Sequence, residues 1–249
     1  MVSYLITGCS RGLGLELVKQ LVKDESASAI FATARSAGPS LDLERLITTS
    51  NGRVHFVQLD ISSDDSISAA VAKVSSHPNA RNGLDVLINN AGIQFTEDDN
   101  KINSQALQDS LSINVLSVHK VSNAFIPLLL QGSLKKIVNL SSKMGSISII
   151  AAGIGADRPT PSYKVSKAAL NMLTVQYALE LSADGFTVFA LSPGWLKTEM
   201  GGEGAHLSTE VGAQQVLNTI RESDITFNGS FRDIAVPGHD YYRGGIVPW

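Results

Sequence analysis

The chain has 249 residues, 43% hydrophobic and 17% charged, with a formal net charge of −3, which suits one large α/β domain with a substantial core or at most two small ones. The near-neutral balance contains no basic run, so nucleic acid is not an expected partner, and a single cysteine, Cys9, excludes an internal disulfide framework and suits a reducing compartment. With no basic signal-peptide region ahead of Val2-Ser3-Tyr4-Leu5-Ile6 and an apolar run, Phe125 to Leu130, too short to span a bilayer, a soluble cytoplasmic protein outside the membrane is expected.

Val2 to Ile6 reads as a strand, followed by a glycine-rich turn and a helix to about Asp24. The turn, Thr7-Gly8-Cys9-Ser10-Arg11-Gly12-Leu13-Gly14, has the spacing G-x-x-x-G-x-G. A plain tight turn would also use glycines, but a strand before and a helix after are the setting of a dinucleotide site. There the backbone of Gly8, Ser10, Arg11, Gly12, Leu13 and Gly14 approaches a pyrophosphate drawn to the helix N-terminus. Cys9 lies in this loop either as an activated thiol or, more simply, as a small residue filling the turn.

Ala29 to Ala34 is the second strand and Leu41 to Thr48 a short helix. The strand ends in Ala34-Arg35-Ser36, without the acid that would bind the ribose hydroxyls of NAD(H). Arg35, with Arg11, suits a 2′-phosphate instead, so NADP(H) is expected over NAD(H); singly, either arginine also reads as a solvated surface charge. Arg53 to Leu59 is the third strand, and Ser62 to Ser75 its following helix. Between them, Asp60 and Ile61 are placed to meet an adenine, while Asp60 also reads as a helix cap. Asp85 to Ile88 is the fourth strand; the small residues of Asn89-Asn90-Ala91-Gly92 after it let a ligand approach the backbone. The acidic run Glu97-Asp98-Asp99 reads as a solvated loop.

A long helical region spans about Ser104 to Leu130, and Lys135 to Leu140 is the fifth strand, ending in Ser141-Ser142. Hydroxyls there face the crevice at the carboxyl end of the sheet, although serine also forms turns. Tyr163 and Lys167, four apart on the next helix, share one face. An ammonium beside that phenol in a cleft lowers its pKa from about 10. Thr187 to Leu191 is the sixth strand, and a helix near Ser208 to Glu222 follows. Strands alternating with helices, joined by right-handed crossovers, predict a single-domain α/β doubly wound parallel sheet, a Rossmann fold with helices on both faces, over residues 1–249.

The glycine turn, Asn89 to Gly92, the Ser142 strand end and Tyr163/Lys167, in this order, give a chain that resembles the short-chain dehydrogenase/reductases over nearly its whole length. Within their single-domain branch it is most similar to the C-factor/sniffer-like carbonyl reductases, on Ser192-Pro193-Gly194-Trp195-Leu196-Lys197-Thr198-Glu199-Met200-Gly201-Gly202 and the terminal Val247-Pro248-Trp249. The resemblance implies Tyr163 as catalytic acid/base, Ser142 as the carbonyl-orienting serine, and Lys167 on the nicotinamide ribose. It implies that Asn114 interrupts its helix and holds a water linking Lys167 to solvent, with Pro193, Gly194 and Trp195 beside the nicotinamide and Thr198 on its carboxamide or the phosphates. It also implies association as a homodimer or homotetramer through Asn114 to Leu130 and Tyr163 to Ser182.

The expected activity is therefore NADPH-dependent reduction of a small-molecule ketone or aldehyde, with Tyr163 protonating the nascent alkoxide. An NADP(H)-sensing protein without turnover, or a reductase of an activated double bond, keeps the same fold. The chain departs from the family pattern at Ser117, where glycine is common. Its substrate loops are expected at about 143–162 and 195–213. Gly201, Gly202 and Gly204 predict a short mobile lid over an open pocket suited to a bulky or aromatic substrate, and Gly238 to Arg243 is expected to cover the site or an interface. The histidines His55, His77, His119, His206 and His239 lack metal-ligand spacing, so no metal is expected.

Overall fold

A computed structural model describes residues 2–249. Its centre is an eight-stranded sheet in the order β3-β2-β1-β4-β5-β6-β7-β8, formed by β1 (Val2–Ile6), β2 (Ala27–Ala34), β3 (Val54–Gln58), β4 (Val86–Asn89), β5 (Lys136–Leu140), β6 (Thr187–Ser192), β7 (Phe231–Ala235) and β8 (Arg243–Ile246). All neighbours pair in parallel except β7 and β8. Strand order reverses between β1 and β4, which opens a crevice above their carboxyl ends.

The strands form because their apolar runs are buried on both faces, and alternation sorts each side chain to one face or the other. Tyr4, Ile6, Ile30, Val86, Ile88, Val138 and Leu140 meet α1 (Gly12–Lys23), α2 (Leu41–Thr49) and α8 (Thr209–Glu222). The intervening Leu5, Phe31, Leu87, Ile137 and Val188 meet α3 (Asp64–Ser75), α5 (Ser117–Gln131) and α7 (Pro161–Glu180). The remaining helices are α4 (Ser104–Leu111) and the short α6 (Ile147–Ala151).

The expected long helix is a continuous stretch, Ser104–Gln131, interrupted by a π-helical turn at Ser112–Leu116. By length and composition this stretch meets the requirement for crossing a membrane; Val121, Phe125, Leu128 and Leu129 on it lie in the core. Two strands escaped the sequence pattern. Phe231-Arg232-Asp233-Ile234-Ala235 carries a charged pair at its centre, and Arg243-Gly244-Gly245-Ile246 lacks β-branched content until its last residue.

The loop boundaries also differ. Residues 143–162 include a 3₁₀ turn at Lys143–Gly145, α6, and the first residues of α7. The end of 195–213 is already α8, capped by Ser208 on Val211 N–H. The segment between is not a free lid: Leu196 and Leu207 form a bridge, and Lys197 N–H donates to Leu207 O at 2.8 Å while Leu207 N–H donates to Trp195 O at 3.1 Å.

Candidate active site

The glycine turn is held from across the switch point. Asn90 Nδ2 donates to Thr7 O and Gly8 O at 2.7 and 3.1 Å, and the N–H groups of Asn90 and Ala91 both donate to Thr7 Oγ1 at 2.9 Å. Gly14 is obligatory here, because a Cβ on it would stand 2.2 Å from Gly8 O. Arg11 is the N-cap of α1 without a side-chain cap, and the first turn carries no acid. The backbone N–H groups of that turn thus have no side-chain acceptor within it, which fits a pyrophosphate. Thr198 lies on this turn, its Cγ2 3.6 Å from where a Gly12 Cβ would stand.

Arg35 is exposed at the end of β2 and Arg11 pairs with Glu199 at 3.0 Å, both side chains 77% exposed. Asp60 is not the cap of α3. It accepts from Ser62 N–H and Oγ at 3.0 and 2.6 Å, which hold its carboxyl below the usual range, and Ser63 caps the helix on Ser66 N–H. Ile61 is half-buried against the core beneath, as is Leu13 on the other face. Cys9 is the small filler: it is fully buried, its thiol donates to Ile6 O, and burial pushes its pKa up to about 12.

Beside this cradle, Ser142 follows β5 and opens the 3₁₀ turn, its Oγ accepting from Met144 N–H at 3.2 Å. Tyr163 and Lys167 lie buried on α7, with the ammonium 5.6 Å from the centre of the phenol ring. Burial pushes the phenol up to about 12, against the opposing pull of a hydrogen bond with Ser142. The expected lowering by Lys167 is not the governing effect in this state. Burial instead pushes Lys167 down to about 8, and its ammonium donates to Leu140 O at 2.8 Å.

Asn114 sits in the π-helical turn and is fully buried. It accepts from Ile93 N–H at 2.8 Å and donates to Ile93 O and Ser166 Oγ at 2.9 Å each, joining the loop after Gly92 to the helix of Tyr163. Gly145 permits the approach of the Ser142 turn to α7, since a Cβ there would lie 2.7 Å from the Lys167 backbone. Asn171, one turn beyond Lys167, accepts from Ser141 Oγ at 2.6 Å. Gly145 and Asn171 stand in no recognisable motif.

Glu97 corrects the sequence reading most sharply. It is 4% exposed rather than solvated. Its carboxylate accepts from Ser162 N–H and Oγ, beside Tyr163, and from Asn103 N–H, at 2.7 to 2.8 Å. Burial alone would push the carboxyl up, but these donors hold it below its usual range. Proline at the start of α7 and an anion at its N-terminus together fix where the helix begins. The only sequence signal was a carboxylate followed by Asn103 as a helix cap.

The C-terminal segment lies on the flank of the site, as one of its two expected places. Trp195 N–H donates to Tyr242 Oη at 3.1 Å, Lys143 pairs with the buried Asp233 at 2.6 Å and donates to Tyr241 O at 2.7 Å. Ser146 Oγ and Ser148 Oγ donate to Pro248 O and Trp249 O, both at 2.6 Å. Here His206 and His239 join an aromatic rim with Trp195, Tyr241 and Tyr242, while His55 packs on His77 elsewhere. His119 packs instead on Tyr177; among the described residues no group of three or more His, Cys, Asp or Glu is placed to hold a metal ion.

The short chain dehydrogenase family model matches residues 3–206. The chain belongs to the short-chain dehydrogenase/reductases. A relative from Arthrinium sp, the short-chain dehydrogenase/reductase atnB, is 35% identical over 213 residues, covering 80% of this chain and 76% of the relative. The carbonyl reductase Sniffer of D. melanogaster superposes with a TM-score of 0.88 at 31% identity over 100% of both chains. An NADPH-bound carbonyl reductase from chicken fatty liver gives 0.88 at 28% identity, over 99% of this chain and 94% of that one. This short-chain dehydrogenase/reductase is thus an oxidoreductase with the Rossmann-type sheet of its family.

Proposed function

We propose that the chain is an NADPH-dependent carbonyl reductase that converts a ketone or aldehyde to an alcohol. The observation that carries this reading is the meeting of the Ser142 hydroxyl with a buried Tyr163 phenol whose pKa is pushed up to about 12. A phenol so placed keeps its proton at neutral pH, which is what a donor to a forming alkoxide requires. Ser142 and Tyr163 hold the carbonyl oxygen, and Tyr163 releases its proton to that oxygen as negative charge builds there. The bound nicotinamide supplies the hydride. Lys167, with its pKa brought down to about 8, returns a proton toward Tyr163, and Asn114 holds the backbone of Ile93 and the α7 side chain of Ser166 around it.

For the cofactor, the uncapped first turn of α1 would receive the pyrophosphate, and Pro193, Gly194, Trp195 and Thr198 would hold the nicotinamide half. Arg35 receives a 2′-phosphate, which favours NADP(H) over NAD(H). Arg11 contributes from the other side, because an ion pair between two exposed partners such as Arg11 and Glu199 is worth only about 0–1 kcal/mol and yields readily to a phosphate. Exposed Leu116 and Leu130 on one long helical stretch and Val165, Met172 and Leu179 on α7 support a homodimer or homotetramer through these helices. The test of function is the loss of NADPH absorbance against a panel of ketones, aldehydes and quinones. Turnover that survives Tyr163→Phe undiminished contradicts the reading.

A further inference from the structure

Arg158 lies in the loop that precedes Tyr163, half-buried, with its guanidinium carbon 3.6 Å from the centre of the Trp195 ring. Trp195 itself follows Pro193 and Gly194 at the end of β6 and is fixed by two bonds, its backbone N–H to Tyr242 Oη and its Nε1–H to Gly201 O. The loop that carries Arg158 is fixed as well. Lys164 Nζ donates to Ala156 O and Arg158 O at 3.1 and 2.8 Å. Asn100 Nδ2 donates to Ala156 O at 2.8 Å, and Glu97 N–H donates to Pro159 O at 2.8 Å. Both sides of the stack are thus held before any ligand arrives.

The guanidinium carries five N–H donors. Among the described residues none of them has a hydrogen-bond acceptor in the chain, and no carboxylate pairs with it; the neighbouring cation Lys164 is turned to the carbonyls of Ala156 and Arg158. Stacking on an indole satisfies one face of a guanidinium and leaves its edge, where the donors lie, unengaged. A planar oxyanion is the group that such an edge holds, through two parallel bonds.

We infer that Arg158 is the anchor of an anion subsite at the mouth of the active site, and that the substrates of this enzyme are oxo acids whose carboxylate docks on Arg158 while their carbonyl reaches Ser142 and Tyr163. This rests on the carbonyl-reductase reading for the reaction but not for the binding. The carboxylate takes no part in the bond changes: the carbonyl carbon accepts the hydride from NADPH, its oxygen takes the proton of Tyr163, and a hydroxy acid and NADP+ leave. Arg158 acts as a specificity residue, and Trp195 keeps its donors aimed.

The experiment compares benzoylformate and levulinate with the methyl ester of each, as substrates with NADPH, in the unsubstituted chain, Arg158→Gln and Arg158→Lys. A charge-assisted bond of the expected kind gives a preference for acid over ester in kcat/KM of about 10- to 100-fold. Arg158→Gln erases that preference through KM of the acid and leaves ester turnover unchanged; Arg158→Lys restores part of it, keeping the charge without the fork. Equal treatment of acid and ester by the unsubstituted chain, or an equal loss for both in Arg158→Gln, overturns the inference. A calorimetric titration of benzoylformate in the presence of NADP+ reads binding without turnover, and matched melting temperatures show that the variants fold. If no carbonyl is reduced but benzoylformate binds the unsubstituted chain and not Arg158→Gln, the reductase reading fails and the subsite stands. If the esters are reduced and benzoylformate does not bind, the reductase reading stands and the subsite fails.

Discussion

On the β1–β4 side of the crevice, the glycine turn is shaped by what its residues lack: no Cβ on Gly14, and no side chain capping the first turn of α1. On the β5–β6 side, the segment after Ser142 is shaped by what distant side chains add. Ser146 reaches Pro248, Lys143 reaches Asp233 and Tyr241, and Glu97 ties itself to Ser162. The first arrangement suits a ligand common to many enzymes, recognised by backbone and small residues. The second is built by side chains from remote segments, and in the proposed function it is the side that the substrate meets.

Substitutions on the two sides should therefore fail differently. Tyr163→Phe stands at the junction and removes the proton donor, so kcat for carbonyl reduction is expected to fall about 10²- to 10⁴-fold, while NADPH affinity by fluorescence titration is unchanged. A loss of NADPH binding in that variant would show that the phenol belongs to the cofactor side. Gly14→Ala should do the reverse. With a Cβ forced within 2.2 Å of a carbonyl oxygen, the turn must open, and the dissociation constant for NADPH is expected to rise at least tenfold with a lowered melting temperature.

Glu97→Ala tests the substrate side. It strips the acceptor from buried donors at Ser162 and Asn103, which costs about 2–4 kcal/mol in a denaturant titration. Because the carboxyl is held below its usual value, the stability it contributes is present at pH above about 4.3 and is lost as the pH falls through the folded-state value. The acid limb of the stability curve should flatten in Glu97→Gln. An unchanged midpoint in Glu97→Ala would return this residue to the solvated loop first expected for it.

Arg35→Gln sharpens the cofactor side further: KM for NADPH is expected to rise about tenfold and KM for NADH to stay level. The smallest effect is on pH dependence. Lys167, at about 8, loses its charge before the phenol, at about 12, loses its proton. The rate of reduction should decline as the pH rises through about 8, with alcohol oxidation favoured above it; a profile flat to pH 10 would contradict this order.

The sequence is legible where a pattern lies within one contiguous segment. The glycine turn, the Ser142 strand end and the Tyr163/Lys167 spacing are each complete within one segment, and the burial of the central strands on both faces follows their apolar runs. It is not legible where a residue's role depends on which remote segment it meets. Nothing local to Asp233 announces its strand, because its partner Lys143 comes from the 3₁₀ turn after β5. Gly201 and Gly202 suggest mobility, yet Gly202 N–H closes on Thr198 O and Gly201 O holds the Trp195 indole. The spacing of Tyr163 and Lys167 does not show their burial, and burial is what pushes the phenol up and the ammonium down.

The most direct measurement is the fate of deuterium from NADPH labelled at the transferable nicotinamide position, followed by mass spectrometry and NMR of the product formed with the best carbonyl of the panel. A carbonyl reductase places the label on the carbinol carbon, with a slower rate than unlabelled NADPH, and Tyr163→Phe suppresses both. NADPH that binds but transfers no label, or label found at a reduced carbon–carbon double bond, would contradict carbonyl reduction at the Ser142–Tyr163 site.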